Sequence, residues 1–281
     1  MPTVKGPDII RDPSDIQVLS NLKQLVEYRE LLRTLVSKDI RSRYKGSILG
    51  FAWNFAIPLL QLLVFWILFG IIVRVDPPGD YPFALFLFTG LLPWNFLANS
   101  MTSGSMSIVG NANLVKKIYF PLQVLPLTSV LSQFISLLLG MIVLGVVVLA
   151  FGVGLSQWLL LLLPVFVVQL VFTAGLAYLF ACTNVFYRDV EHILGIVVMA
   201  WMYVTPILYP ISYVLGKAAW ADTAIHLNPM TGIITAYQAV ILDHRAPDWP
   251  WFGYSAAVAA ALFVIGFSLF NRYKTRFEEE V

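Results

Sequence analysis

Lys116 and Lys117 are the only charged side chains between Tyr81 and Tyr187. They stand in GNANLVKKIYFP, residues 110–121, beside a glycine, two asparagines and a proline. Two adjacent ammonium groups in so apolar a run can hold a turn on one side of a membrane, or they can meet acidic groups on another molecule. A second cluster is NVFYRDVEH, 184–192, with Arg188, Asp189, Glu191 and His192. A third is the basic stretch 22–45, which carries Arg29, Arg33, Arg41, Arg43 and Lys45. None of these has the spacing of a catalytic centre. There is no GxxxxGK[ST] phosphate loop, no carboxylate pair inside an apolar run, no His/Cys spacing for a metal and no nucleophile triad. The sequence therefore predicts no catalytic residue, no metal site and no cofactor held by this chain.

Composition says what surrounds these charges. The 281 residues are 59% hydrophobic and 12% charged, with mean hydropathy +0.79. Soluble domains carry roughly twice that charge, about 25%. A water-soluble surface could not hide this much apolar area, so most of the chain is predicted to face lipid. A net charge of +2 gives no reason to expect nucleic acid. Cys182 is the single cysteine, which excludes an intrachain disulfide. The first 47 residues are charge-rich and lack a short apolar core, so the first span is expected to act as an uncleaved anchor.

A crossing helix needs about 20 apolar residues. The uncharged stretches between Lys45 and Arg74 and between Asp80 and Lys116 each hold one, near 49–73 and 82–108. The 70 uncharged residues from 118 to 187 are too many for one helix, and FGVGLSQW, 151–158, reads as the turn between spans near 120–150 and 158–184. Further spans fit near 191–213 and 251–271, which makes six. The expectation is an all-α polytopic membrane protein. It divides into an N-terminal tail (1–21), an amphipathic interface helix (22–45), a transmembrane domain (46–275) and a C-terminal tail (276–281).

Lysine and arginine orient it. With the N-terminus inside, fifteen of the eighteen basic residues fall on the cytoplasmic side, leaving only Arg74, Lys217 and Arg245 outside. Both termini are then cytoplasmic, and 110–121 is a cytoplasmic turn. Gly110 breaks the preceding helix, Asn111 or Asn113 can cap a short one, and Pro121 opens the next span. Topology alone and docking of another protein both remain open readings of the two lysines.

In the 22–45 helix, Leu22, Leu25, Val26, Leu32, Val36 and Ile40 share a side, with Arg29 and Arg33 intruding on the same sector. Such a helix lies in the membrane interface. Arg29 and Arg33 can also meet a partner and pass force into span one. Arg41, Arg43 and Lys45 at the lipid boundary can pair with anionic headgroups or hold the phosphates of a lipid-linked substrate. Outside, LNPMTGIITAYQAVI, 227–241, is too short to cross and reads as a re-entrant helical segment between spans five and six. TPILYP, 205–210, places two prolines, hence a kink, at the outer end of span five.

The stretch RSRYKGSILGFAWNFAIPLLQLLVFWILFG, 41–70, resembles the entry to span one of ABC-2 type permeases that export cell-surface polysaccharides, O-antigen and wall teichoic acid permeases among them. NVFYRDVEHIL, 184–194, resembles that family's turn between spans four and five, and TPILYP and LNPM match its outer region. The likeness covers about residues 20–275. It implies a homodimer in the bacterial cytoplasmic membrane with two copies of a separate cytoplasmic ABC ATPase, which would hold ATP and Mg. It also makes Asn111–Ile118, with Asn113, Lys116 and Lys117, the coupling helix. Arg29, Arg33, Arg188, Asp189 and Glu191 would lie close to the same ATPase. A path between protomers would be lined by spans one and five, with Trp53, Phe65, Trp66, Trp201, Tyr203 and Tyr209 as aromatic candidates. The competing reading of each aromatic is membrane belt or core packing.

The implied function is ATP-driven export of a lipid-linked envelope polymer. The alternative within the family is an exporter of a drug or small lipid. A membrane glycosyltransferase and a passive channel are the readings from other classes.

Overall fold

The computed structural model describes residues 27–281 apart from 44, 76–78, 118, 119 and 218. The expected tail 1–21 and the first turn of the expected 22–45 helix lie outside the described residues, as does Ile118 of the expected coupling helix. Among the described residues the fold is helical, with one isolated bridge between Gly79 and Tyr81.

Helix α1 is Arg29–Arg43 and lays Val36 against the body of the protein. Helix α2, Trp53–Phe65, runs on through a wider π-helical stretch, Trp66–Ile72. The widening is visible in the i→i+5 bond from Val73 N–H to the Leu68 carbonyl, 2.8 Å. Helix α3 is Phe83–Ser105, α4 the short Ala112–Lys117, and α5 Val124–Ala150. The turn after α5 needs left-handed backbone at Gly152 and Gly154, with φ of +76° and +80°. Ser156 then caps the following 3-10 turn by accepting from Trp158 N–H at 3.2 Å. Helix α6, Leu162–Phe186, is followed by α7, Val190–Val204. Helices α8 (Ala219–Leu227) and α9 (Pro229–Ile241) precede α10 (Trp249–Tyr273) and a last turn, α11 (Phe277–Glu280).

Five of these segments are long and apolar enough to cross a membrane: Trp53–Ile72, Phe83–Ser105, Val124–Ala150, Gln157–Phe186 and Trp249–Arg276. Helix α7 has 15 residues, about 22 Å at 1.5 Å per residue, shorter than the expected 191–213. Its end has a plain cause. Pro206 has no N–H to donate, and it pushes Thr205 into extended backbone, φ −90° and ψ 137°.

The least apolar span is the most enclosed. Helix α3 has mean hydropathy 1.2 and is 83% buried, whereas Trp53–Ile72 has 2.5 and is 11% buried. A span with Asn, Ser and Thr among its apolar residues is shielded by protein, and one made of Leu, Ile and Val can face hydrocarbon. Helices α6 and α10 approach most closely through glycine. A Cβ on Gly175 would lie 2.6 Å from the Phe263 backbone nitrogen, and one on Gly266 would collide with the Gly175 carbonyl. Small residues at a crossing let two backbones meet, which is how helices pack where lipid supplies no hydrophobic drive. Helix α9 is inside the bundle: Met230, Ile233, Ile234 and Tyr237 are fully buried against α3, α6 and α10.

Candidate functional site

The lysine pair sits on a prepared bed. Helix α4 turns Val115 inward, into a cluster with Ile108, Leu122, Tyr178, Val185, Phe270 and Phe277, while Asn113 and Lys116 are exposed. Lys117 is the last residue of α4. Asn111 directs its amide back to the Ser107 carbonyl at 2.9 Å, which fixes the turn before the helix. Beneath the bed runs a polar chain. Tyr178 donates to the Gln123 carbonyl (3.0 Å), the Gln123 amide to Asn271 (2.6 Å), and the Lys274 ammonium to the same Asn271 oxygen (3.1 Å). Asn184 donates to the Ser105 carbonyl at 3.1 Å. These bonds join the ends of α3, α5, α6 and α10 around α4.

The turn between α6 and α7 starts on the same bed, because Val185 belongs to the cluster and Phe186 packs on Phe277 at 6.0 Å. Arg188 and Asp189 beyond it are exposed and Glu191 is partly so. None of the three forms an ion pair among the described residues. Charges held at a surface without partners are available to another molecule. Helix α1 packs on α5, with Leu32, Val36 and Ile40 facing Leu131, Phe134 and Ile135. Arg29 and Arg33 are exposed. Arg33, Arg41 and Lys45 border one open depression on α1, whereas Arg43 is tied to Asp39 at 2.6 Å.

The aromatic candidates divide. Trp66 and Tyr203 are 42% and 59% exposed. Phe65 is half-buried and packs towards Phe69, ring centres 6.4 Å apart. Trp53 donates to Ser47 Oγ at 2.9 Å. Tyr209 is half-buried and donates to the Val204 carbonyl at 3.3 Å. Trp201 is engaged on three sides, edge-on to Trp94 (5.8 Å) and Phe172 (6.1 Å) and hydrogen-bonded to Asn228 (2.9 Å). Helices α2 and α7 carry the most open apolar faces, with Ile57, Leu60 and Val64 on one and Ile193, Ile196 and Val197 on the other.

Sequence reasoning missed a set of five amides and a serine. Asn54 and Gln61 of α2, Asn95 and Asn99 of α3, and Gln133 and Ser136 of α5 line a cavity of about 450 Å³ that opens beside Arg43 and Asp39. The signal was available: Asn95 and Asn99 are four apart and Asn54 and Gln61 seven apart, so each pair shares a helix face within an apolar run.

A model of the ABC-2 type transporter family matches residues 30–242. The chain belongs to the ABC-2 type transporter family. This ABC-2 chain is also similar along most of its length to characterised relatives. It is 36% identical over 261 residues to the O-antigen export system permease protein RfbA of Myxococcus xanthus, covering 92% of this chain and 98% of the relative. The RfbA permease of Klebsiella pneumoniae is 32% identical, covering 89% and 94%. The polysialic acid transport protein KpsM of Escherichia coli is 22% identical, covering 88% and 93%. The family match takes in α1 from its second residue, α4 itself, the Arg188 turn and the amide cavity of this ABC-2 chain, while Phe270 and Phe277 of the bed lie beyond it.

Proposed function

We propose that this chain is the permease subunit of an ATP-driven exporter that moves a lipid-linked cell-envelope polysaccharide of the O-antigen type across the bacterial cytoplasmic membrane. The observation that carries the reading is near-full-length similarity to O-antigen export permeases. On this reading the chain is a transport subunit, and ATP and Mg belong to a separate cytoplasmic ATPase, two copies of which serve a permease homodimer. The excess of lysine and arginine on one side supports cytoplasmic termini. Helix α7 and the segment after it to Tyr213 would complete a sixth crossing, with α8 and α9 as the outer element between the last two.

Within this scheme Asn113, Lys116 and Lys117 on α4 dock the ATPase, flanked by Arg29 and Arg33 of α1 and by Arg188, Asp189 and Glu191. The exposure of Lys116 above a packed bed supports it, since a lever must be exposed at one end and anchored at the other. Arg41, Arg43 and Lys45 would hold the phosphate of the lipid-linked substrate. Trp66 and Tyr203 would line a path between protomers, a role that their exposure on α2 and α7 supports. Trp53, Phe65, Trp201 and Tyr209 are half-buried and would be the less accessible members of that lining.

The test is co-purification with the ATPase encoded beside this gene, then ATPase assays in lipid with polyprenyl-linked glycans, teichoic acid precursors and small amphiphilic drugs. Stimulation by the glycans supports the reading. Stimulation by the drugs alone would favour a small-molecule exporter. A permease that captures no ATPase would remove the energy source from the account.

A further inference from the structure

The amide-lined cavity is formed within one chain, among α2, α3 and α5, and Ile57 of the open α2 face is part of its lining. Two of its amides, Asn99 and Gln133, form no side-chain hydrogen bond among the described residues. Asn95 donates to Gln61 only at 3.4 Å, and the Ser136 hydroxyl is shared between the Ser132 carbonyl at 3.4 Å and Asn54 at 3.5 Å. Asn99 is exposed and Gln133 half-buried, so both amides are open to a ligand in the space. A dry apolar occupant would leave the Asn99 and Gln133 amides without partners. Trp53 and Phe96 add aromatic surface to the wall, and at the mouth the Arg43 guanidinium is held by Asp39 at 2.6 Å.

Neutral amides beside aromatic faces suit a ring that carries hydroxyls on its edge and C–H groups on its faces. A guanidinium at the mouth suits an anion joined to that ring, since planar donors pair well with phosphate oxygens. Among the described residues no ammonium or carboxylate lines the deeper part, so a charged sugar is not favoured there.

We propose that this cavity binds the neutral sugar attached to the phosphate of the lipid-linked glycan, with the ring among Asn95, Asn99, Gln133 and Ser136 and the phosphate at Arg43, which it would take from Asp39. The inference rests on the exporter reading above and adds to it a sugar-reading site within each protomer.

The experiment measures binding of two probes to the purified permease–ATPase complex in lipid nanodiscs. One is a polyprenyl diphosphate N-acetylhexosamine, the other the same polyprenyl diphosphate without sugar. Wild type should prefer the sugar-bearing probe. Asn99→Ala and Gln133→Leu should each weaken that probe by about tenfold, the loss of one or two neutral hydrogen bonds. Neither should change the sugarless probe. Arg43→Gln should weaken both. Because Asn99 is exposed, its truncation threatens the fold least, and Ser136→Leu gives an independent check by filling the space.

Equal weakening of both probes by Asn99→Ala, or a sugar preference that survives all three cavity variants, would overturn the site while leaving the exporter reading intact. Competition of phosphatidylglycerol with the sugar probe at equal affinity would assign the cavity to membrane lipid and overturn the proposal. A wild-type complex that binds neither probe would sink the exporter reading with it.

Discussion

Trp201 donates its indole N–H to the side-chain oxygen of Asn228 across 2.9 Å, and that oxygen also accepts from Met230 N–H at 3.1 Å. The Asn228 amide in turn donates to Thr205 Oγ1 at 2.9 Å. One side chain thus caps α9 and fastens it to the end of α7, where Pro206 has stopped the helix. The TPILYP and LNPM motifs meet at this joint.

Replacing Asn228 should therefore remove a cap and strand buried partners together. Asn228→Ala is expected to lower stability by about 2–3 kcal/mol. Trp201→Phe keeps the aromatic contacts and loses one bond, for about 1 kcal/mol. Unfolding midpoints of the purified protein in detergent check both, and equal midpoints for wild type and Asn228→Ala would refute the joint.

The glycine crossing of α6 and α10 makes a sharper contrast. A methyl on Gly266 meets the Gly175 backbone, whereas one on Gly253 of the same helix meets nothing within 4 Å. Gly266→Ala should force the helices apart and destabilise by about 1–3 kcal/mol. Gly253→Ala should be neutral or stabilising by up to about 1 kcal/mol, through helix propensity. The same unfolding assay reads the difference in sign.

Phe277 is fully buried, its ring 5.2 Å from Phe270 and in one cluster with Val115 of α4. Phe277→Ala should open a void beneath α4, at about 3–5 kcal/mol if local packing cannot relax. The expected phenotype is ATP hydrolysis by the complex with reduced export per ATP, partly restored in Phe277→Leu. Unchanged coupling in a stably inserted Phe277→Ala protein would show that the bed does not support α4.

The start of α3 is closed by Tyr81, which donates to Asp243 at 2.9 Å, with Arg245 on the same carboxylate at 3.1 Å. Burial, and then the Asp243 charge, raise the Tyr81 phenol well above its ordinary value of 10.0. A group whose folded pKa is raised contributes its stability in full below the unfolded value and loses it as pH climbs through the folded one. Stability should thus decline with pH above about 10, and Tyr81→Phe should remove this component of the alkaline decline. Unfolding midpoints of both proteins across pH 8–11 test it.

Much of the architecture was legible because lipid imposes it. Apolar runs of about 20 residues become helices, since hydrocarbon offers backbone groups no partner and a helix satisfies them within the segment. The stop at Val204 was half legible: Pro206 announced a kink, but its consequence depended on Asn228, 23 residues on, taking up Thr205. The amide cavity was not found because its members come from three helices, and a lone Asn or Gln in an apolar run reads as tolerated. Phe277 was passed over for a related reason. Residues 276–281 are too few to show a period, and only the fold brings Phe186, Phe270 and Val115 to it.

The most direct measurement of the central claim is transport itself. The permease and its ATPase are reconstituted in liposomes with a polyprenyl-linked O-antigen glycan, and the glycan crossing to the face opposite the ATPase is followed by a membrane-impermeant glycosidase. The account predicts ATP-dependent crossing, abolished by Lys116→Glu together with Lys117→Glu while the complex still inserts. Crossing that proceeds without ATP, or that survives the double charge reversal, would contradict it.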